Sequence, residues 1–199
     1  MLTFALAVFF LIITPGPGVL SLAGVGAAFG RQAGLSYLLG LFIGTNLVAG
    51  VVVTGLAGLF LAEPQVRIVL FALSFGYLCY LALRVAFAGN RIAFIKRAQA
   101  PGIGGGIFLQ IVNPKAYAVN TALFTGFAFL PDAYTAEIAI KFVIMNLIWL
   151  PIHGLWLWAG LSLHRLDLSD RTHRIINATM ALLMMTVVVL AVLAQVLHS

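Results

Sequence analysis

Charge is what this chain lacks most. Of 199 residues only 8% are Asp, Glu, Lys or Arg, and just 5 are acidic. Soluble globular domains carry about 25% charged residues, so a water-covered globule is excluded. Cysteine is nearly missing as well. With Cys79 alone, an internal disulfide and a cysteine metal cluster are both ruled out. No basic stripe lies on an otherwise polar domain, which sets nucleic-acid binding aside. What is abundant is apolar: 63% of residues are hydrophobic and the mean hydropathy is +1.13. The formal charge of +6 falls between apolar runs, where anionic lipid headgroups are the fitting partner.

A membrane helix needs about 20 apolar residues. Six runs meet that length, over residues 2–28, 35–61, 66–88, 105–130, 137–162 and 174–197. Backbone at bilayer depth must bond internally, so each run is expected to be a helix. The alternating segments of about 10 residues that mark an outer-membrane barrel do not occur. The first run has no Lys or Arg before its apolar core and holds Pro15 and Pro17 in its middle. It reads as a retained span, not a cleaved signal peptide. Arg31, Arg84, Arg91, Lys96, Arg97, Arg165, Arg171 and Arg174 fall in alternate connections; only Arg67 and Lys141 fall in the others. Positive charge stays inside. Both termini are therefore expected outside, with Glu63, Asp132 and Glu137 on the outer side and no carboxylate within a span.

The longest polar stretch, 84–106, contains basic residues and then Pro101-Gly102-Ile103-Gly104-Gly105-Gly106. It divides a first half (1–88) from a second (107–199), with a cytoplasmic linker over 89–106. Three spans is an odd number, so the second half enters from the opposite side, as in inverted-repeat transporters. Each half also carries a helix breaker early on: Thr14-Pro15-Gly16-Pro17-Gly18 in span 1, and Asn113-Pro114-Lys115 in span 4. Proline removes a backbone donor and clashes with the preceding turn. Counted from either end at ~1.5 Å per residue, both breaks lie near mid-membrane. Paired interruptions are the best sequence pointer to a transport site, and freed amides at the new helix starts suit an anionic group.

Lys115 is expected as the one charged side chain inside a span, serving cargo unless its stem snorkels to the surface. Asn46 (beside Thr45), Asn120 and Asn146 suit either a polar cargo or ties between helices. His153 has the chemistry of a proton carrier; a histidine bonded to a nearby carbonyl is the commoner arrangement. Gly26, Gly30, Gly34, Gly40 and Gly44 recur at helix-packing spacing. That predicts close contact of spans 1 and 2, within one chain or across a homodimer.

The Thr14-Pro15-Gly16-Pro17 run, the Gly30-x-x-Ala33-Gly34 and Gly40-x-x-x-Gly44 ladder and Asn113-Pro114-Lys115 together resemble the lysine exporter superfamily, and within it the RhtB-type amino-acid and homoserine-lactone exporters. The resemblance covers nearly the whole chain. It implies a multi-pass protein of the bacterial inner membrane that expels small amino-acid-like solutes using the proton gradient. Thr14, Pro15, Gly16, Pro17, Asn113, Pro114 and Lys115 occupy the motif positions. Where family members often carry carboxylates in the second and fifth spans, this chain has Thr45-Asn46 and Asn146.

The expectation is thus an all-α integral membrane protein of six transmembrane helices in two inverted three-helix repeats, with helices 1 and 4 broken. It would be a secondary transporter and not an enzyme, with no cofactor and no metal site. Its cargo would contact Thr14, Pro15, Gly16, Pro17, Gly18, Asn46, Asn113, Pro114, Lys115 and Asn146, and protons would be the coupling ion. Export of another small solute or a divalent cation, and a non-transporting membrane scaffold, are the alternatives.

Overall fold

A computed structural model describes residues 1–86 and 99–165, and beyond them Thr172, Ile175, Ile176, Ala178, Thr179, Met180, Leu182, Leu183 and Thr186. Among the described residues every regular element is a helix. The basic segment Arg91, Lys96 and Arg97 lies outside them, as does most of the expected span over 174–197.

Helix α1 (Leu2–Ile13) stops where prolines withhold their amides. Thr14, at ψ 122°, turns the chain out of helix, and Gly16 is fully extended. Helix α2 (Pro17–Val53) then starts on a proline at its first position, where a missing N–H costs nothing. It is two helices joined at Gly30, whose φ of 79° and ψ of −169° lie in a region that essentially only glycine enters. Residues 31–53 fold back beside 17–29. Across this hairpin the Tyr37 hydroxyl donates to Ser21 Oγ at 3.1 Å, and Ser21 donates to the Gly18 carbonyl at 3.0 Å. The expected connection from Gly30 to Gly34 shrinks to one residue.

A second positive-φ glycine, Gly55, ends this run early relative to the expected 35–61 and leads into α3 (Leu56–Ala62) and α4 (Pro64–Ala86). Helix α5 (Ile103–Val112) starts inside the stretch expected to be linker, and Asn113 separates it from α6 (Pro114–Gly126). Helix α7 (Tyr134–Arg165) runs unbroken through Pro151. Three described helices, over 17–53, 64–86 and 134–163, are long and apolar enough to cross a membrane. Leu35, Leu39, Ile43 and Leu47 form an exposed stripe at helical spacing on α2. An apolar face of that extent suits lipid, not water.

Glycines set the packing. A methyl group at Gly40 would collide with the Ile103 carbonyl; one at Gly106 would come within 2.5 Å of the Tyr37 carbonyl. The second half of α2 therefore meets α5 backbone to backbone. Its first half meets α7 in the same way at Gly160, which sits against the Ala23 carbonyl, while Gly26 and, across the hairpin, Gly34 receive the Leu157 side chain. These glycines are filled from within one chain. Gly50, Gly55 and Gly58, which continue the ladder in the sequence, meet nothing within 4 Å among the described residues.

Two apolar clusters result. One holds Leu22, Val25, Tyr37, Leu41, Leu81, Leu109 and Trp149. The other holds Phe4, Val8, Ala49, Leu123 and Met145. The two broken elements pass in opposite directions. Phe4, at the start of α1, meets Phe127 edge-on and Phe129 at a tilt beyond the end of α6, with centroids 6.2 and 6.1 Å apart. Gly16, at the end of α1, touches Lys115 at the start of α6.

Candidate functional site: a polar cavity where two helix breaks meet

The Lys115 ammonium lies 2.7 Å from the Thr14 carbonyl and 3.4 Å from that of Pro15, and donates to both. These are carbonyls at the end of α1, the negative pole of that helix, and the proline break is what frees them. Gly16 has to be small here. Its absent Cβ would sit 2.9 Å from Lys115 Cδ and 3.0 Å from Nζ. Lys115, half-buried, thus spans the two breaks.

The second break is ordered by side chains. Asn113 Oδ1 accepts from the Lys115 amide at 3.1 Å, capping α6. Asn113 Nδ2 donates to Gln110 Oε1 at 3.1 Å, and Gln110 Nε2 donates to Thr45 Oγ at 2.6 Å. The chain of bonds ties α6, α5 and α2 together. The start of α2 has no such cap, since Gly16 offers no side chain. The amides of Gly18 and Val19 belong to the first turn, which has no intrahelical acceptors, and both residues line the cavity beside Lys115.

That cavity has a free volume of ≈ 70 Å³. About 10–15 Å³ admits one water, so there is room for the polar head of a small solute. Its polar lining is Thr14, Thr45, Gln110, Asn113, Lys115, Asn120 and His153, set among Leu11, Leu123, Met145 and Trp149. Asn120, 3% exposed, donates Nδ2 to the Ala116 carbonyl at 2.7 Å. Among the described residues its Oδ1, buried, has no hydrogen-bond partner. His153 lies flat on Trp149, with centroids 3.5 Å apart and planes 13° apart, and its Nδ1 sits 3.0 Å from the Trp149 carbonyl. A second, more apolar cavity of ≈ 180 Å³ lies against Phe71, Phe75 and Leu78 of α4. Gly16, Pro17, Asn113 and Lys115 border both. The two breaks and the lysine are therefore a shared wall with space on each side.

Of the residues singled out from the sequence, Thr14, Gly16, Pro17, Gly18, Asn113 and Lys115 line the first cavity, and Pro15 and Pro114 line the second. Asn46 and Asn146 line neither. They bond to each other reciprocally at 3.0 and 2.9 Å, and each also donates to the carbonyl one turn back, of Phe42 and Phe142. Their polar groups are spent on joining α2 to α7. Thr45 and Gln110 were not picked out as site residues; Thr45 directly follows Gly44 and Gln110 stands four residues after Gly106, and this nearness to packing glycines was the available signal.

Burial is not confined to the cavity. Glu137 and Lys141, expected at the outer surface, are buried in α7 as an ion pair of 2.8 Å. Glu137 Oε2 also accepts from the amides of Phe129 and Leu130 at 2.8 and 2.5 Å, and Lys141 donates to the Phe124 carbonyl at 3.1 Å. The Lys141 ammonium lies 5.7 Å from the Phe4 ring centroid and 5.8 Å from that of Phe129. The pair pins the turn between α6 and α7 and lines neither cavity.

A family model described as LysE type translocator matches residues 9–195. An "Uncharacterized membrane protein PA4757" of Pseudomonas aeruginosa is 29% identical over 164 residues, covering 78% of this chain and 74% of that one. No solved structure matches the chain.

Proposed function

This chain belongs to the LysE type translocator family, and from that premise we propose that it exports small amino acids or amino-acid-like solutes across a bacterial inner membrane in exchange for protons. Membership and the apolar helices make it a multi-pass membrane protein. The proposal adds cargo class, coupling and layout. Six helices form two inverted repeats, 1–88 and 107–199, about the linker, with both termini periplasmic.

One observation carries the cargo assignment. The cavity at the two breaks is lined by an ammonium, Lys115, beside the unbonded first-turn amides of α2. An ammonium has three donors, and two are directed at Thr14 and Pro15. The third and the amides suit a carboxylate. Asn120 Oδ1, buried and unpartnered, suits a donor such as an amino or hydroxyl group. A short solute with both groups satisfies both ends. The wall shared by two cavities supports alternating access, because a shift of Lys115 and the α1 break would open one side as it closes the other.

The test is efflux of a radiolabelled L-amino-acid mixture from loaded proteoliposomes. Lys115→Met should lower the rate at least ~10-fold while the protein still inserts and purifies. Losing one charge-assisted hydrogen bond, ~1.5–3 kcal/mol, corresponds to that factor or more. Wild-type-like efflux from well-inserted Lys115→Met would remove the cavity as the cargo site.

A further inference from the structure

We infer that His153 is the proton site of the exchange, and that its Nε2 holds either a proton or a donor group of the cargo, never both. This rests on the reading of the first cavity as the cargo site.

The chemistry follows from one hydrogen bond. His153 Nδ1 lies 3.0 Å from the Trp149 carbonyl. A carbonyl only accepts, so Nδ1 carries the hydrogen, and in the neutral ring Nε2 is then the bare, basic nitrogen. The Trp149 ring stacked against the imidazole holds it in that orientation. Nε2 points toward the start of α2, where a methyl group at Gly18 would sit 3.9 Å from it and 3.6 Å from Gln110 Nε2.

The surroundings leave few other carriers. Among the described residues no carboxylate lines the cavity, and Glu137 is committed to Lys141 and two amides elsewhere. Among the described residues, the ionisable group facing it from α6 is Lys115, α1, α2 and α5 contribute none to the lining, and α7 contributes His153. Lys115 is held by two carbonyls at the break. His153 is, among the described residues, the remaining lining group with a lone pair to protonate. The proton balance is simple. A proton arriving from one side adds to Nε2 and displaces the cargo's donor; its departure to the other side restores the lone pair for the next cargo. One lone pair with two competing occupants is the condition for exchange and not symport.

The experiment has two arms. In the first, proteoliposomes with an acid interior take up an externally added radiolabelled L-amino-acid mixture. Wild type should accumulate label above equilibrium. His153→Gln keeps a polar acceptor there but binds no proton; it should accumulate no more with the gradient than without. It should still exchange label at equal pH on both sides. Gly18→Ala, a change the packing accepts, should raise KM and leave the gradient dependence intact. Undiminished gradient-driven accumulation by His153→Gln overturns the assignment. In the second arm, ¹⁵N NMR of histidine-labelled protein in nanodiscs reads the ring directly, the His153 signal being the one lost in His153→Gln. Expected is an Nδ1–H tautomer whose Nε2 gains a proton within the pH range that supports transport. An Nε2–H tautomer, or a ring neutral throughout that range, overturns the assignment whatever the cargo. A bare, titrating Nε2 in a protein that moves none of the mixture supports the proton site and overturns the cargo reading instead.

Discussion

A glutamate and a lysine four residues apart on a helix usually form a weak surface pair, worth about 0.3–0.5 kcal/mol. Glu137 and Lys141 are different because Lys141 is 1% exposed. Removing one partner strands a buried charge, which costs ~3–5 kcal/mol. Glu137→Gln should therefore lower the thermal midpoint in detergent by several degrees. Glu137→Gln combined with Lys141→Met should recover most of the loss, since no buried charge is then left unpaired and the glutamine oxygen can still accept from the Phe129 and Leu130 amides. A single variant melting like wild type would mean that water reaches the ammonium. The pair also shows what the residues alone leave unread. Glu137 and Lys141 stand at the favourable i, i+4 spacing, but they flank an apolar run and so read as loop charges. Their burial comes from Phe4 and Phe129, rings supplied by segments over a hundred residues apart. The opposite happened with Asn46 and Asn146. Their polarity was plain, but their partner was not, and each proved to be the other's.

Helix breaks were the most legible elements, because proline and glycine act through local covalent geometry and need no tertiary partner. The interruptions at Thr14–Gly16 and Asn113 are where the sequence puts them. The reversal at Gly30 and the end of α2 before Gly55 were less so. Both depend on φ, and glycine spacing alone does not separate a packing glycine from a turning one. The structure does separate them, and the difference is measurable. At Gly30 alanine would have to adopt φ near 79°, costing of order 1–3 kcal/mol. At Gly106 it would force α5 off the Tyr37 and Leu41 backbone, a misfit of ~1–3 kcal/mol. At Gly50, with nothing within 4 Å among the described residues, alanine should be neutral or slightly stabilising through helix propensity. Melting of the three variants should rank Gly50→Ala at or above wild type and the other two below it. A destabilised Gly50→Ala would show that this face packs on something other than lipid, a second copy included.

Direction is a property of the whole molecule, and it is where the inverted arrangement can fail. Phe4 meets the far end of α6 while Gly16 meets its start, so the two broken elements are antiparallel. Antiparallel neighbours alone do not fix which side of the membrane each end faces; the distribution of Lys and Arg does. The Gly30 reversal and the turn before α7 should then lie on opposite faces. Gln32 and Asp132 are exposed beside these two turns. Each can carry a single cysteine once the half-buried Cys79 is replaced by serine. In intact cells with the outer membrane permeabilised, an impermeant maleimide should label Asp132→Cys and spare Gln32→Cys. In inverted vesicles the preference should reverse. Labelling of both positions from one side would undo the inverted layout, because α7 then could not cross between the Asp132 turn and the Gly26–Gly34 hairpin that receives Leu157. Protection of Asp132→Cys and labelling of Gln32→Cys in cells would keep the layout but reverse the molecule, and a cavity reading of export would become one of uptake.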